Sequence, residues 1–162
     1  MLDIPYGNGQ FSLVVLLPYT GTLADVMNRL TLSDLNRWVA EADTLTPQLY
    51  LPRFKTTFKM RAESFLQQLG MRRPFAQDAD FSGFFQNIDS GLRIDRVIHQ
   101  SFIEVNEEGA EAAAATAVVI TNRSTSQPEP CTIRVDRPFA YFIREKHTRA
   151  ILFAGTLVNP SE

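Results

Sequence analysis

A single cysteine, Cys131, in 162 residues excludes an internal disulfide and leaves any thiolate metal site without a second sulfur ligand. Histidine is almost as scarce, with only His99 and His147, far apart in the chain. Lys and Arg number 16 against 18 Asp and Glu, so the net charge of −2 supplies no basic field for phosphates, and no nucleic-acid partner is expected. No window holds the ~18 apolar residues that a helical membrane span needs. The apolar stretch from Phe11 to Leu17 is too short and is broken by Ser12, so no membrane partner is expected either. Repeats are absent, and the one biased tract is the alanine run near residue 113. The first residues lack the basic start and cleavage site of a signal peptide, while Leu2 to Tyr6 already reads as a strand. The expectation is a chain that begins inside a fold.

What is present is ordinary for one globular domain: 44% hydrophobic and 21% charged residues. Leu2 to Tyr6, Gly7 to Gln10 and Phe11 to Pro18 read as strand, tight turn and buried strand, a hairpin. Thr20-Gly21-Thr22 caps a helix carrying Leu23, Val26, Met27 and Leu30, and Thr31 or Ser33 caps a second carrying Leu35, Trp38 and Val39. Trp38 at that spacing is read as packing rather than as a ligand platform. Gln48 to Lys59 reads as one long strand bent at Pro52, with Arg53, Lys55 and Lys59 as a solvated face rather than a ligand patch. A short helix from Ala62 to Leu69 stops at Gly70. Pro74 to Asn87 reads as loop, and its Asp78 and Asp80 lack the spacing of a calcium site. Leu92 to Asn106 reads as an interior strand, apolar on both faces, and Ile133 to Ile143 and Ala150 to Val158 read as closing strands. The fold class is α+β, dominated by strands, with short helices and a long loop.

The segment from Glu107 to Ser124 contradicts itself locally. Its Glu and Ala residues favour helix, whereas Val118, Val119, Ile120 and Thr121 are β-branched and favour a pleated strand. An exposed arginine, Arg123, followed by Ser124 completes what reads as a small-residue hinge leading to a bait for a trypsin-like protease.

Four blocks in order resemble the serpins. They are the hinge Glu107-Glu108-Gly109-Ala110-Glu111-Ala112-Ala113-Ala114-Ala115-Thr116, the stretch Val135-Asp136-Arg137-Pro138-Phe139-Ala140-Tyr141-Phe142-Ile143-Arg144, and Ile151-Leu152-Phe153-Ala154-Gly155 with Val158-Asn159-Pro160. The fourth is Leu51-Pro52-Arg53-Phe54 with Leu66-Gln67-Gln68-Leu69-Gly70-Met71 and Asp80-Phe81-Ser82-Gly83. The resemblance covers essentially the whole chain, but only the C-terminal portion of the family's single domain. It implies a second-sheet hairpin, short helices and an edge strand over 1–91, a main-sheet strand over 92–106, hinge and reactive loop over 107–130, and closing strands over 131–162. On that resemblance the N-terminal part of the domain is expected to be absent from these residues.

The activity the resemblance implies is suicide inhibition of a trypsin-like serine protease, with no catalytic residues and no cofactor or metal of the chain's own. Counted from Gly109 in the family register, Arg123 and Ser124 form the reactive bond and Asn122 is the next recognition residue. The hinge comprises Glu107, Glu108, Gly109, Ala110, Ala112, Ala114 and Thr116, and the small alternating side chains of Ala110, Ala112, Ala114 and Thr116 suit entry into a packed sheet. Glu107 is expected to pair with Arg53 where the loop leaves the sheet, and His99 to belong to a polar cluster controlling sheet opening, as a buried histidine. Two other readings stay open: a noninhibitory serpin-like binding or storage protein, and an inactive truncated fragment. Further implied partners are a missing N-terminal segment and self-association through exposed strand edges. The family points to an extracellular or periplasmic location.

Overall fold

Glycines at φ 55° (Gly7) and 85° (Gly9) close the turn of the first hairpin, a backbone region that L side chains rarely adopt. In the computed structural model, residues 1–84, 91–106 and 131–160 are described. The hairpin pairs β1 (Leu2–Tyr6) with β2 (Phe11–Leu16) antiparallel. β2 also pairs antiparallel with β7 (Phe139–Glu145), which in turn pairs with β8 (Ile151–Leu157). The resulting sheet has the order β1-β2-β7-β8. Its two central strands are buried along most of their length, which is why their sequences, FSLVVL and FAYFIRE, are apolar in runs rather than in alternation.

Each face of that sheet has its own cover. On one, Val14, Leu16, Ala140 and Phe142 form a core with Leu35, against which Leu23, Val26, Met27, Leu30, Trp38 and Val39 pack. These come from α1 (Leu23–Arg29) and α2 (Leu32–Ala40) and their borders. Both helices start on a capping box: Thr22 and Thr31 accept from the N–H of Asp25 and Asp34, whose carboxylates reach back to the cap N–H. The threonine hydroxyls also donate to those carboxylates, Thr22 to Asp25 at 2.7 Å and Thr31 to Asp34 at 2.6 Å, and these bonds hold both Asp carboxyls below their ordinary range. On the other face Phe54 meets Phe139 edge-on at 5.8 Å and Tyr141 at 5.1 Å between ring centroids. Trp38 is half-buried packing, as its spacing implied.

Three expected strands prove shorter or divided. Gln48 to Lys59 is two strands in different sheets, β3 (Gln48–Tyr50) and β4 (Phe54–Arg61), because Pro52 has no N–H to continue a ladder. Ile133 to Ile143 likewise splits at Asp136-Arg137-Pro138 into β6 (Thr132–Arg134) and β7. β5 covers only Ile98–Val105, and among the described residues it pairs with β4 alone. It is therefore not the interior strand expected: Ile103 and Val105 are buried, but Ile98 and Phe102 are exposed. The short helix α3 spans Glu63–Gln68, and Arg73–Phe75 forms a 3₁₀ turn that overlaps the start of the loop expected from Pro74. Asp80 accepts from the N–H of Ser82, and the described residues contain no metal-binding group of acids, His or Cys.

The described residues divide into two compact units, one of residues 1–54 and 105–162, the other of residues 55–104. The first holds the four-stranded sheet with its helices and the β3–β6 pair, and the second holds most of the β4–β5 pair and α3.

Two predictions follow from contacts within the four-stranded sheet. Gly155 faces Tyr141 across β7 and β8, and a Cβ built there would lie 2.9 Å from Tyr141 Cε1 and closer still to the ring's hydroxyl end. Tyr141 is 3% exposed and has no room to retreat, so Gly155→Ala should destabilise by about 1–3 kcal/mol in urea denaturation. Tyr141→Leu in the same chain should recover part of that loss. In the β7–β8 turn, the Glu145 carboxylate accepts from the Thr148 hydroxyl and N–H and from the His147 N–H, which together lower its pKa from 4.5 to about 2. A lowered carboxyl pKa favours the native turn wherever the unfolded chain would already be ionised, so this contribution is complete above pH 4.5 and fades as pH falls through about 2. Carbon-detected NMR titration should find Glu145 titrating near 2, and Thr148→Val should raise that value.

Candidate functional site

The expected bait and hinge, Glu107, Glu108, Gly109, Ala110, Ala112, Ala114, Thr116, Asn122, Arg123 and Ser124, lie outside the described residues. What the structure describes is the chain on either side of them. On the upstream side β5 leads to Val105, 7% exposed, and Asn106. Lys55 Nζ meets Glu104 Oε1 at 2.9 Å on the outward side of the β4–β5 pair, a solvated bridge contributing little to stability. Its partner residues are adjacent only because the strands pair.

On the downstream side Cys131 returns the chain to a small parallel sheet. Its carbonyl accepts from the Gln48 N–H at 2.9 Å, and β6 then runs alongside β3 in the register Gln48↔Thr132, Leu49↔Ile133, Tyr50↔Arg134. The Arg134 guanidinium sits over the Tyr50 ring, 4.1 Å from its centroid, and the Val135 N–H donates to the Tyr50 carbonyl at 2.9 Å. Stacking and hydrogen bonding thus fix the backbone immediately after residues 107–130. Cys131 itself is exposed and reduced.

Of the supporting residues, Arg53 is exposed in the short connection between β3 and β4, directly before the buried Phe54. Its expected partner, Glu107, is outside the described residues. His99 lies on β5 and, contrary to expectation, is exposed rather than buried. Its ring stands 6.5 Å from Phe58 in an edge-on arrangement. Alternation puts His99 on the side of Ile103 and Val105, but Phe58 at that end is itself 50% exposed, so the described residues provide no cover there.

One grouping was not legible in the sequence. Lys59 and Arg61 of β4 meet Arg96 and Ile98 at the start of β5 around a cavity of about 460 Å³. The alternation of Arg53, Lys55 and Lys59 suggested only a solvated face, because Arg96 is remote in sequence and reaches the group through strand pairing.

Comparison with known proteins matches the whole described chain to one family. Residues 1–160 match the family model described as "Serpin (serine protease inhibitor)". The chain is similar to Serpin-Z1B of Triticum aestivum, 37% identical over 168 residues, covering 99% of this chain and 42% of that protein. It is also similar to Serpin B8 of Homo sapiens, 41% identical over 166 residues, covering 99% of this chain and 43% of the relative. Among solved structures, the mouse protein-Z dependent protease inhibitor superposes with a TM-score of 0.69 at 30% identity, covering 94% of this chain and 38% of that one. The chain therefore spans well under half the length of these relatives. Its four-stranded sheet, its split strands around residues 107–130 and its matched sequence over residues 1–160 agree: this chain belongs to the serpin family.

Proposed function

We propose that this chain is the bait-bearing portion of a serine protease inhibitor directed at trypsin-like enzymes, with Arg123-Ser124 as the reactive bond. The observation that carries the reading is the family match across residues 1–160, and counting forward from Gly109, as the resemblance suggests, makes Arg123 the residue before the cut. The mouse neighbour is a protease inhibitor, which supports the same class. The protein acts on the protease as inhibitor, not as an enzyme.

The chemistry follows from the residue types. A carboxylate at the base of a trypsin-like pocket would pair with the Arg123 guanidinium, a charge-assisted contact contributing about 1.5–3 kcal/mol. The protease serine attacks the Arg123 carbonyl carbon, the Arg123-Ser124 bond breaks, and Ser124 leaves with a free amine. The hinge then enters the main sheet as an added strand while the acyl ester still holds the protease. About thirteen inserted residues at ~3.3 Å each would carry the enzyme on the order of 40 Å. Ala110, Ala112, Ala114 and Thr116 would be the residues entering the interior, where larger side chains would overpack. Glu107 would pair with Arg53 at the foot of the loop, Asn122 would contribute to recognition, and His99 would sit on the strand that parts from its neighbour. An extracellular or periplasmic setting, suggested by the family alone, would fit such a target.

The chain's 42% coverage of its wheat relative favours a second reading for the chain acting alone. Trapping needs a main sheet to receive the loop, and β5 has one neighbour among the described residues, so the remaining part of the domain is a required partner. The exposed edges of β5 and β8 are where that part, or another copy of the chain, would add a strand. Incubation with trypsin tests both readings. The longest polypeptide carrying this chain should give a covalent complex stable in denaturant and a new N-terminus at Ser124, and Arg123→Ala should abolish both. Rapid cleavage after Arg123 with no complex would sink the inhibitory reading and leave a substrate.

A further inference from the structure

The cavity at the end of the β4–β5 pair is lined by Lys59, Met60, Arg61, Arg96 and Ile98, and no acidic residue lines it. Its construction is local. Lys59 and Arg61 are two apart on β4 and so share a face. Just beyond, the Ala62 N–H donates to the Val97 carbonyl at 2.9 Å and the Val97 N–H donates to Glu63 Oε1 at 3.2 Å. These bonds hold residues 96–98 beside residues 59–61, and Arg96 and Ile98, again two apart, come to the same cavity.

The three cations are not equivalent. Arg61 Nε is held by Glu63 Oε1 at 3.1 Å, and the same oxygen accepts from the Val97 N–H, while the Glu63 pKa is lowered, mainly by backbone hydrogen bonding at its own N–H. Lys59 and Arg96 form no ion pair among the described residues. Two cations with no ion pair among the described residues thus border an open, solvent-facing site of about 460 Å³. Ile98, 54% exposed, adds an apolar wall.

The geometry points to a binding site for a small organic anion: an oxyanion held by Arg96 and Lys59, joined to a compact apolar body resting on Ile98. Arginine supplies a planar fork of donors and lysine a point charge, a combination that suits a carboxylate or a sulfur or phosphorus oxyanion. A neutral ligand would leave both cations without an acceptor. A bare inorganic anion would leave the apolar wall unused. The lining residues all precede residue 107 in the chain, and the proposal does not depend on the inhibitory reading.

Methyl NMR of the full chain, observing Ile98 and Met60, tests the assignment with 4-methylbenzenesulfonate and 4-methylbenzoate as probes and 4-methylbenzyl alcohol as the neutral control. Both anions should shift the two methyl signals saturably, and the tighter of the two identifies which oxyanion the site prefers. Lys59→Gln and Arg96→Gln should each weaken binding by about tenfold, the loss of one partly solvated charge-assisted hydrogen bond. The double variant should lose the saturable shift, while Lys59→Arg, which keeps the charge and guards against a folding defect, should retain it. Equal binding of the alcohol, or unchanged affinity in the double variant, would overturn the proposal.

Discussion

Everything described in the larger unit depends on two strands, β2 and β7, being covered on both faces. Ser12, Leu13, Val14, Val15, Phe139 and Ala140 have no solvent exposure at all, so the sheet forms only when the helices and Phe54 are both in place. Burial of this kind outweighs local preference: it fixes register, since a one-residue slip would exchange the set facing α1 and α2 for the set facing Phe54. Because β2 and β7 are separated by more than a hundred residues of sequence, this pairing is also the longest-range commitment that the fold makes. The Gly155–Tyr141 contact sits at its margin, where the absence of a side chain on β8 lets a large ring lie over the neighbouring strand.

The parts of this fold governed by short-range chemistry were legible in sequence. The glycines of the first turn, the caps at Thr22 and at Thr31 or Ser33, of which the structure uses Thr31, and the stop at Gly70 are each decided by backbone conformation and one or two hydrogen bonds. Strand limits were less legible. Strand-like sequence flanks Pro52 and Asp136-Arg137-Pro138 on both sides, but a ladder needs N–H donors on a partner, and at both prolines the chain changes sheets instead. The exposure of His99 was hidden for a different reason. Its face of β5 is apolar by pattern, yet burial depends on what stacks above it, which no strand's own sequence encodes.

The candidate site divides along the same line. Residue type and register alone nominate Arg123 and its hinge, whereas the flanks owe their order to contacts among distant segments: Gln48 with Cys131, Tyr50 with Arg134 and Val135, Lys55 with Glu104. The cationic cavity is the clearest case. Lys59 and Arg61 look like solvated strand charges until the hydrogen bonds of Ala62 and Glu63 to Val97 carry Arg96 alongside them.

β7 is contributed by the chain that follows residues 107–130, yet it lies inside a sheet whose other neighbour, β2, precedes them. A single cut in the intervening segment would therefore yield two polypeptides that share one sheet and one core. The shorter piece would remain seated by six residue pairs to β2 and by Phe139 and Tyr141 against Phe54. Nicking would register on a denaturing gel as a loss of mass while the native particle kept its size, making covalent continuity there dispensable to architecture.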